Sequence, residues 1–192
     1  MTLLYLSFLL TVGCREAPPP TTPAPPIDNG KVAARTVDQL LLLMKQRLLL
    51  MHEVARWKWT NGIPIQDTER EARVLQAVEI KARNRGLNTA LVKRFFTAQL
   101  EAAKMIQEED FAAWTKTGQG PFPNTEDLGK SLRPRIDTLN DALILSLDAL
   151  ESLRQRGEIH NDLIQERAAR ELTSAGITEA VRQRALEPLL KK

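Results

Sequence analysis

Within LLLLMKQRLLLMHEVARWKW, residues Leu40–Trp59, the apolar side chains recur with the spacing of a buried helix face. At about 100° per residue, Leu40, Leu43, Met44, Leu48, Met51, Val54 and Ala55 fall within an arc of roughly 120°. Lys45, His52, Glu53 and Arg56 land on the opposite side, where charges on an amphipathic helix belong. Arg47 and Lys58, however, fall inside the apolar arc. Two cations therefore face the core, about 16 Å apart along the helix. An unpaired buried charge is costly, so such groups are paired by the protein or serve a ligand.

Working outward, the chain reads as helical from Thr36 onward. Thr36 and Gln39 form a capping box that predicts the first helix start, with an end near Thr60 before Asn61-Gly62-Ile63-Pro64. Asp67 is the expected N-cap of a second helix ending at Gly86, and Asn88 opens a third that runs to about Thr117. Residues 118–130, GQGPFPNTEDLGK, read as a loop and a candidate lid. Arg133-Pro134 opens a fourth helix with proline in its first turn, and two shorter helices follow, near 161–174 and 178–189. No stretch alternates as a strand does. The expected fold is all-α: a bundle of about six helices, three long ones lining one active site, with no sheet.

The 192 residues, 43% hydrophobic and 27% charged, suit one ordinary domain. A formal net charge of +3, with lysines and arginines dispersed among acids, argues against nucleic acid as a partner. There is no metal-ligand spacing, and His52 and His160 read as isolated, solvent-facing residues. MTLLYLSFLLTVGC, residues 1–14, has the layout of a signal-peptide apolar run, and its Leu10–Cys14 ending resembles a lipoprotein signal with Cys14 as the acylated residue. An ordinary signal peptide cut nearby is the alternative. The Pro-rich segment 15–33 reads as an extended tether, leaving 34–192 as the domain. With Cys14 the only cysteine, that domain holds no internal disulfide. Export to the periplasm or exterior, with possible membrane anchoring, is the expectation.

Polar residues also stand on the apolar faces of the next two helices. Glu71 falls within the stripe of Val74, Leu75, Val78 and Ala82, and Arg70 flanks it. On the third helix Gln99 and Gln107 share the face of Phe95, Phe96, Ala103 and Ile106, while Lys104 lies on the other side. Each has a structural explanation: Arg47 could pair with Glu71 or Asp67, Lys58 could snorkel, and a glutamine could be satisfied by neighbours. Taken together, Arg47, Lys58, Glu71 and Gln107 describe a pocket with surplus positive charge, suited to a small carboxylate-bearing anion. No nucleophile stands with a base, so any chemistry is done by holding and polarising the substrate.

RLLLMHEVARWKW, PIQDTEREARVL, FFTAQLEAAKMIQ and LRPRIDTLNDALI, in this order and separation, resemble the all-helical chorismate mutases, above all their secreted or periplasmic subclass. The resemblance covers about residues 36–145. It implies a Claisen rearrangement of chorismate to prephenate without cofactor or metal, and it implies roles for individual residues. Arg47 matches the arginine that holds a substrate carboxylate, Lys58 the lysine that donates to the ether oxygen, and Gln107 the second donor there. Arg133 matches the arginine that closes the site from within the same chain. Asp67, through its backbone, and Glu71 match positions that receive the ring hydroxyl, and Arg70 a further active-site arginine. Chorismate is the expected small-molecule partner and a homodimer the expected assembly. The sequence departs from the pattern at Ala103, where some members carry Ser or Thr, and in lacking a C-terminal cysteine pair. The competing reading is an exported, non-catalytic helical module that binds a small carboxylate or a partner helix.

Overall fold

The computed structural model describes residues 28–174 and 176–190. The signal region, Cys14 and most of the tether lie outside the described residues.

Helix α1 (Asn29–Thr60) starts two turns before the capping box that the sequence suggests. Its N-cap is Asp28, whose side chain accepts the Lys31 N–H at 3.1 Å. Thr36 sits inside the helix and donates to the Val32 carbonyl at 3.0 Å. The reason is packing: Ala33 and Val37 extend the apolar stripe and are buried, which favours continuing the helix into residues 29–33 of the expected tether. Helix α2 (Thr68–Asn84) is capped by Asp67, and α3 (Thr89–Thr117) by Asn88, each accepting an N–H three residues on at 3.0 Å. Gly118, at φ 65°, ends α3 in the left-handed conformation that glycine adopts without strain.

The expected loop is shorter than the sequence suggests. From Leu128 to Leu132 the chain forms a π-helical turn, in which the Leu132 N–H reaches the Asp127 carbonyl at 3.1 Å. It runs without a break into α4 (Arg133–Gln155). The preceding loop is fastened at several points. Trp59 Nε1 donates to the Gln119 carbonyl, the Phe122 N–H donates to Thr60 Oγ1, and the Phe122 ring packs edge-on against Trp114 and under the Arg56 guanidinium. Helices α5 (Asn161–Glu171) and α6 (Glu179–Leu190) complete six α-helices, with no strand among the described residues.

Helix α1, about 48 Å long, is the spine against which α3, α4 and α5 pack, while α2 lies on α3 and α4 and α6 covers α3. Leu40, Leu41, Met44, Leu48, Phe95, Phe96, Ile106, Leu143, Ile144 and Leu147 are fully buried between them. Burying each such side chain contributes about 1.5–3 kcal/mol. That rigid core fixes the faces of α1, α2 and α3 on which polar side chains converge.

Candidate active site

One pocket opens where α1, α2, α3, the α1–α2 loop and the π-helical turn meet. Arg47, Lys58, Asp67, Arg70, Glu71, Gln107 and Arg133, all seven residues singled out from sequence, line it together. Met51, Val54, Val74, Leu100, Leu128 and Ile136 form its apolar walls.

Arg47 is 2% exposed and has no acidic partner within ion-pair distance among the described residues. Its Nε donates to Asn140 Oδ1 of α4 at 2.9 Å and its Nη1 to the Gln99 carbonyl of α3 at 3.0 Å. The pairing with Glu71 or Asp67 that the sequence allowed does not form, because both carboxylates are engaged by other cations. A guanidinium has five N–H donors, so donors remain for a ligand. Burial pushes Arg47 down to about 10, with Asp137 partly restoring it and Arg70 adding to the fall. It remains charged at neutral pH.

Lys58, about three turns further along α1, does not snorkel outward. It is 6% exposed, and its Nζ donates to the Ile65 carbonyl at 2.6 Å. Burial holds its ammonium below the usual lysine range; Asp67 and Glu71 oppose that shift and Arg133 adds to it. Two buried cations thus face the same pocket with neutral oxygens as their partners.

The remaining charges are arranged in pairs around them. Arg133 Nη2 meets Asp67 Oδ2 at 3.0 Å, and Arg70 pairs with Asp137. Glu71 Oε2 accepts from Lys104 Nζ at 3.1 Å while its Oε1 accepts from Gln66 Nε2 at 3.1 Å. Gln107 is buried; its Nε2 donates to the Ala103 carbonyl one turn back at 2.9 Å, and its Oε1 has no partner among the described residues. Five cationic side chains therefore line the pocket against two carboxylates. In a site walled by apolar residues such a surplus attracts a polyanion strongly.

Sequence reasoning missed Asn140 and Lys104. Asn140 is buried on α4, whose faces carry no sequence motif that points to Arg47. Lys104 falls on the outer side of α3 by angle alone, yet its long side chain reaches round to the pocket. Gln99 is the reverse case: its side chain ties α3 to α6 through the Ala185 carbonyl at 3.1 Å, a structural role. His52 is also not isolated. Its Nδ1 lies 2.7 Å from Asp110 Oδ2 on α3 and its Nε2 3.2 Å from the Gly176 carbonyl.

Fold and pocket together define an all-helical protein with a pocket lined predominantly by cations. Residues 35–108 match the family described as chorismate mutase type II. The chain is 36% identical over 83 residues to the secreted chorismate mutase of Yersinia pestis, covering 43% of this chain and 45% of that one. It is 28% identical over 141 residues to the secreted chorismate mutase of Mycobacterium tuberculosis, covering 73% and 69%. Among solved structures, chorismate mutase from Burkholderia thailandensis superposes with a TM-score of 0.70 at 34% identity, covering 80% of this chain and 96% of that one. The enzyme from Burkholderia phymatum gives 0.74 at 26% identity, covering 84% and 99%. This chain belongs to the type II chorismate mutase family.

Proposed function

We propose that the pocket converts chorismate to prephenate. The observation that carries this reading is the pair of buried cations, Arg47 and Lys58, whose partners are neutral oxygens. Chorismate bears two carboxylates and an enolpyruvyl ether whose arm must fold over the ring before carbon–carbon bonding. Gripping both carboxylates selects that conformer, an orientation effect worth up to several kcal/mol. Arg47 is the grip for one carboxylate. Arg133 is the grip for the other, since its half-exposed pairing with Asp67 costs at most about 1 kcal/mol to exchange.

The rearrangement breaks the ether C–O bond and forms the new C–C bond through one cyclic transition state. Negative charge grows on the ether oxygen as it does so. Lys58 and the second N–H of the Gln107 amide are the donors for that charge, and they stabilise the transition state more than the ground state. The Asp67 backbone and the Glu71 carboxylate receive the ring hydroxyl, and Arg70 adds to the cationic wall. No proton transfer, cofactor or covalent intermediate enters the cycle. Loss of chorismate absorbance with purified protein, and its near absence in Lys58→Ala, tests this directly. A folded wild-type protein without turnover would move the non-catalytic binding module to the front.

The apolar residues 1–14 and the Pro-rich segment behind them support export, with Cys14 as a lipid-anchored first residue. Labelled fatty acid appearing in the wild-type chain and not in Cys14→Ser tests that anchor. We expect a homodimer in solution, with activity independent of it, because every proposed site residue comes from one chain. Sedimentation and specific activity measured across the same dilution series check both statements.

A further inference from the structure

Glu71 presents a difficulty for any dianionic ligand, because a carboxylate in the wall of its pocket repels it. Around Glu71 the structure closes a triangle of hydrogen bonds. Lys104 Nζ lies 3.1 Å from Glu71 Oε2 and 3.4 Å from Gln66 Oε1, and Gln66 Nε2 lies 3.1 Å from Glu71 Oε1. The three residues come from α3, α2 and the α1–α2 loop, so the triangle also ties those elements together. Lys104 and Glu71 are both largely withdrawn from solvent, with side chains 24% and 23% exposed, which strengthens their attraction over that of a surface pair.

We infer that Lys104, with Gln66, is a positioning residue that neutralises Glu71 and fixes its plane, so that it accepts a neutral substrate hydroxyl and no longer repels the carboxylates. This rests on the mutase reading and deepens it. With each carboxylate oxygen held by one donor, rotation about the terminal side-chain bond is blocked. A further lone pair on each oxygen stays open, and the only hydrogen-bond partner it can take from the pocket is a donor. Specificity for a hydroxyl-bearing dianion over one lacking the hydroxyl follows, since the unpaired acceptor would be left without its partner.

The test is a double-mutant cycle on the full domain, with steady-state chorismate turnover and a melting curve for each protein. Lys104→Met should raise KM by about tenfold, more than it lowers kcat, by leaving Glu71 uncompensated. Lys104→Arg should restore most of the loss. In a Glu71→Gln background, Lys104→Met should change KM by less than about twofold, because no charge is left to neutralise. An equal rise in KM in both backgrounds overturns the inference, since Lys104 would then be acting on the substrate itself. An active wild type with an unchanged KM in Lys104→Met overturns it as well. A wild type that is folded yet silent instead overturns the mutase reading, and the inference with it.

Discussion

Arg47 Nε on α1 lies 2.9 Å from Oδ1 of Asn140 on α4, and both side chains are buried. A neutral amide satisfies one guanidinium donor without cancelling its charge. The arrangement sacrifices stability, because a buried cation hydrogen-bonded only to neutral groups is poorly solvated. What it keeps is a positive field aimed into the pocket.

Asn140→Asp tests that trade. The new carboxylate would sit at hydrogen-bond distance from Arg47 and ionise beside it. The melting temperature at neutral pH should rise by a few degrees, while KM for chorismate should rise about tenfold, close to 1.4 kcal/mol. Calorimetry and kinetics on one preparation measure both. Unchanged affinity would mean that the Arg47 field does not contribute to binding.

At Gln107 the prediction concerns protons. An amide needs none to donate, so turnover should be nearly flat with pH around neutrality. A carboxyl buried in the same place must be protonated to donate, and burial alone favours that form. Gln107→Glu should therefore shift the optimum to acid, with loss of activity as its proton leaves. If the variant keeps the wild-type pH profile, Gln107 has no part at the ether oxygen.

Lys58 contributes to the alkaline limit. Its ammonium is held below the ordinary value of 10.5, chiefly by burial, so kcat/KM, which reports the ligand-free protein, should fall as pH rises at a midpoint below that value. Stability should not fall with it. A lysine whose folded-state value is depressed binds fewer protons folded than unfolded, so its contribution to stability rises with pH through this range. Parallel rate and melting measurements separate the two. A joint collapse would trace the loss to unfolding.

Much of this architecture is written locally. Asp67 and Asn88 announce α2 and α3 because capping needs only a side-chain oxygen and an N–H three residues away. The inward placement of Arg47, Lys58 and Gln107 follows from helical angle alone. Other features depend on distant partners and have no local mark. Thr36 and Gln39 mimic a cap, yet the true start is decided by where Ala33 and Val37 pack. The π-helical turn at Leu128–Leu132 has a sequence that would serve an α-helix equally well. Lys104 escaped because angle locates a Cβ, whereas a four-carbon side chain ends about 6 Å away. The role of Asn140 exists only once α4 lies across α1.

His52 is the last residue whose environment the sequence conceals, and it yields a prediction about stability. Its ring bridges α1 to α3 through Asp110 and to the segment before α6 through the Gly176 carbonyl. The hydrogen bond to Asp110 raises its pKa above the usual 6.5; burial opposes this, and the charges of Asp110 and Glu109 and the Gly176 carbonyl reinforce it. A histidine raised in the folded state contributes stability that is fully present below 6.5 and disappears as pH climbs through the folded-state value. His52→Gln should thus be less stable than wild type by about 1 kcal/mol at a pH below 6.5 and converge with it once pH has passed the raised folded-state value of the ring. Urea titrations at those two conditions provide the comparison. A constant difference at both would assign the bridge to the neutral ring and its packing, leaving no contribution from the charge.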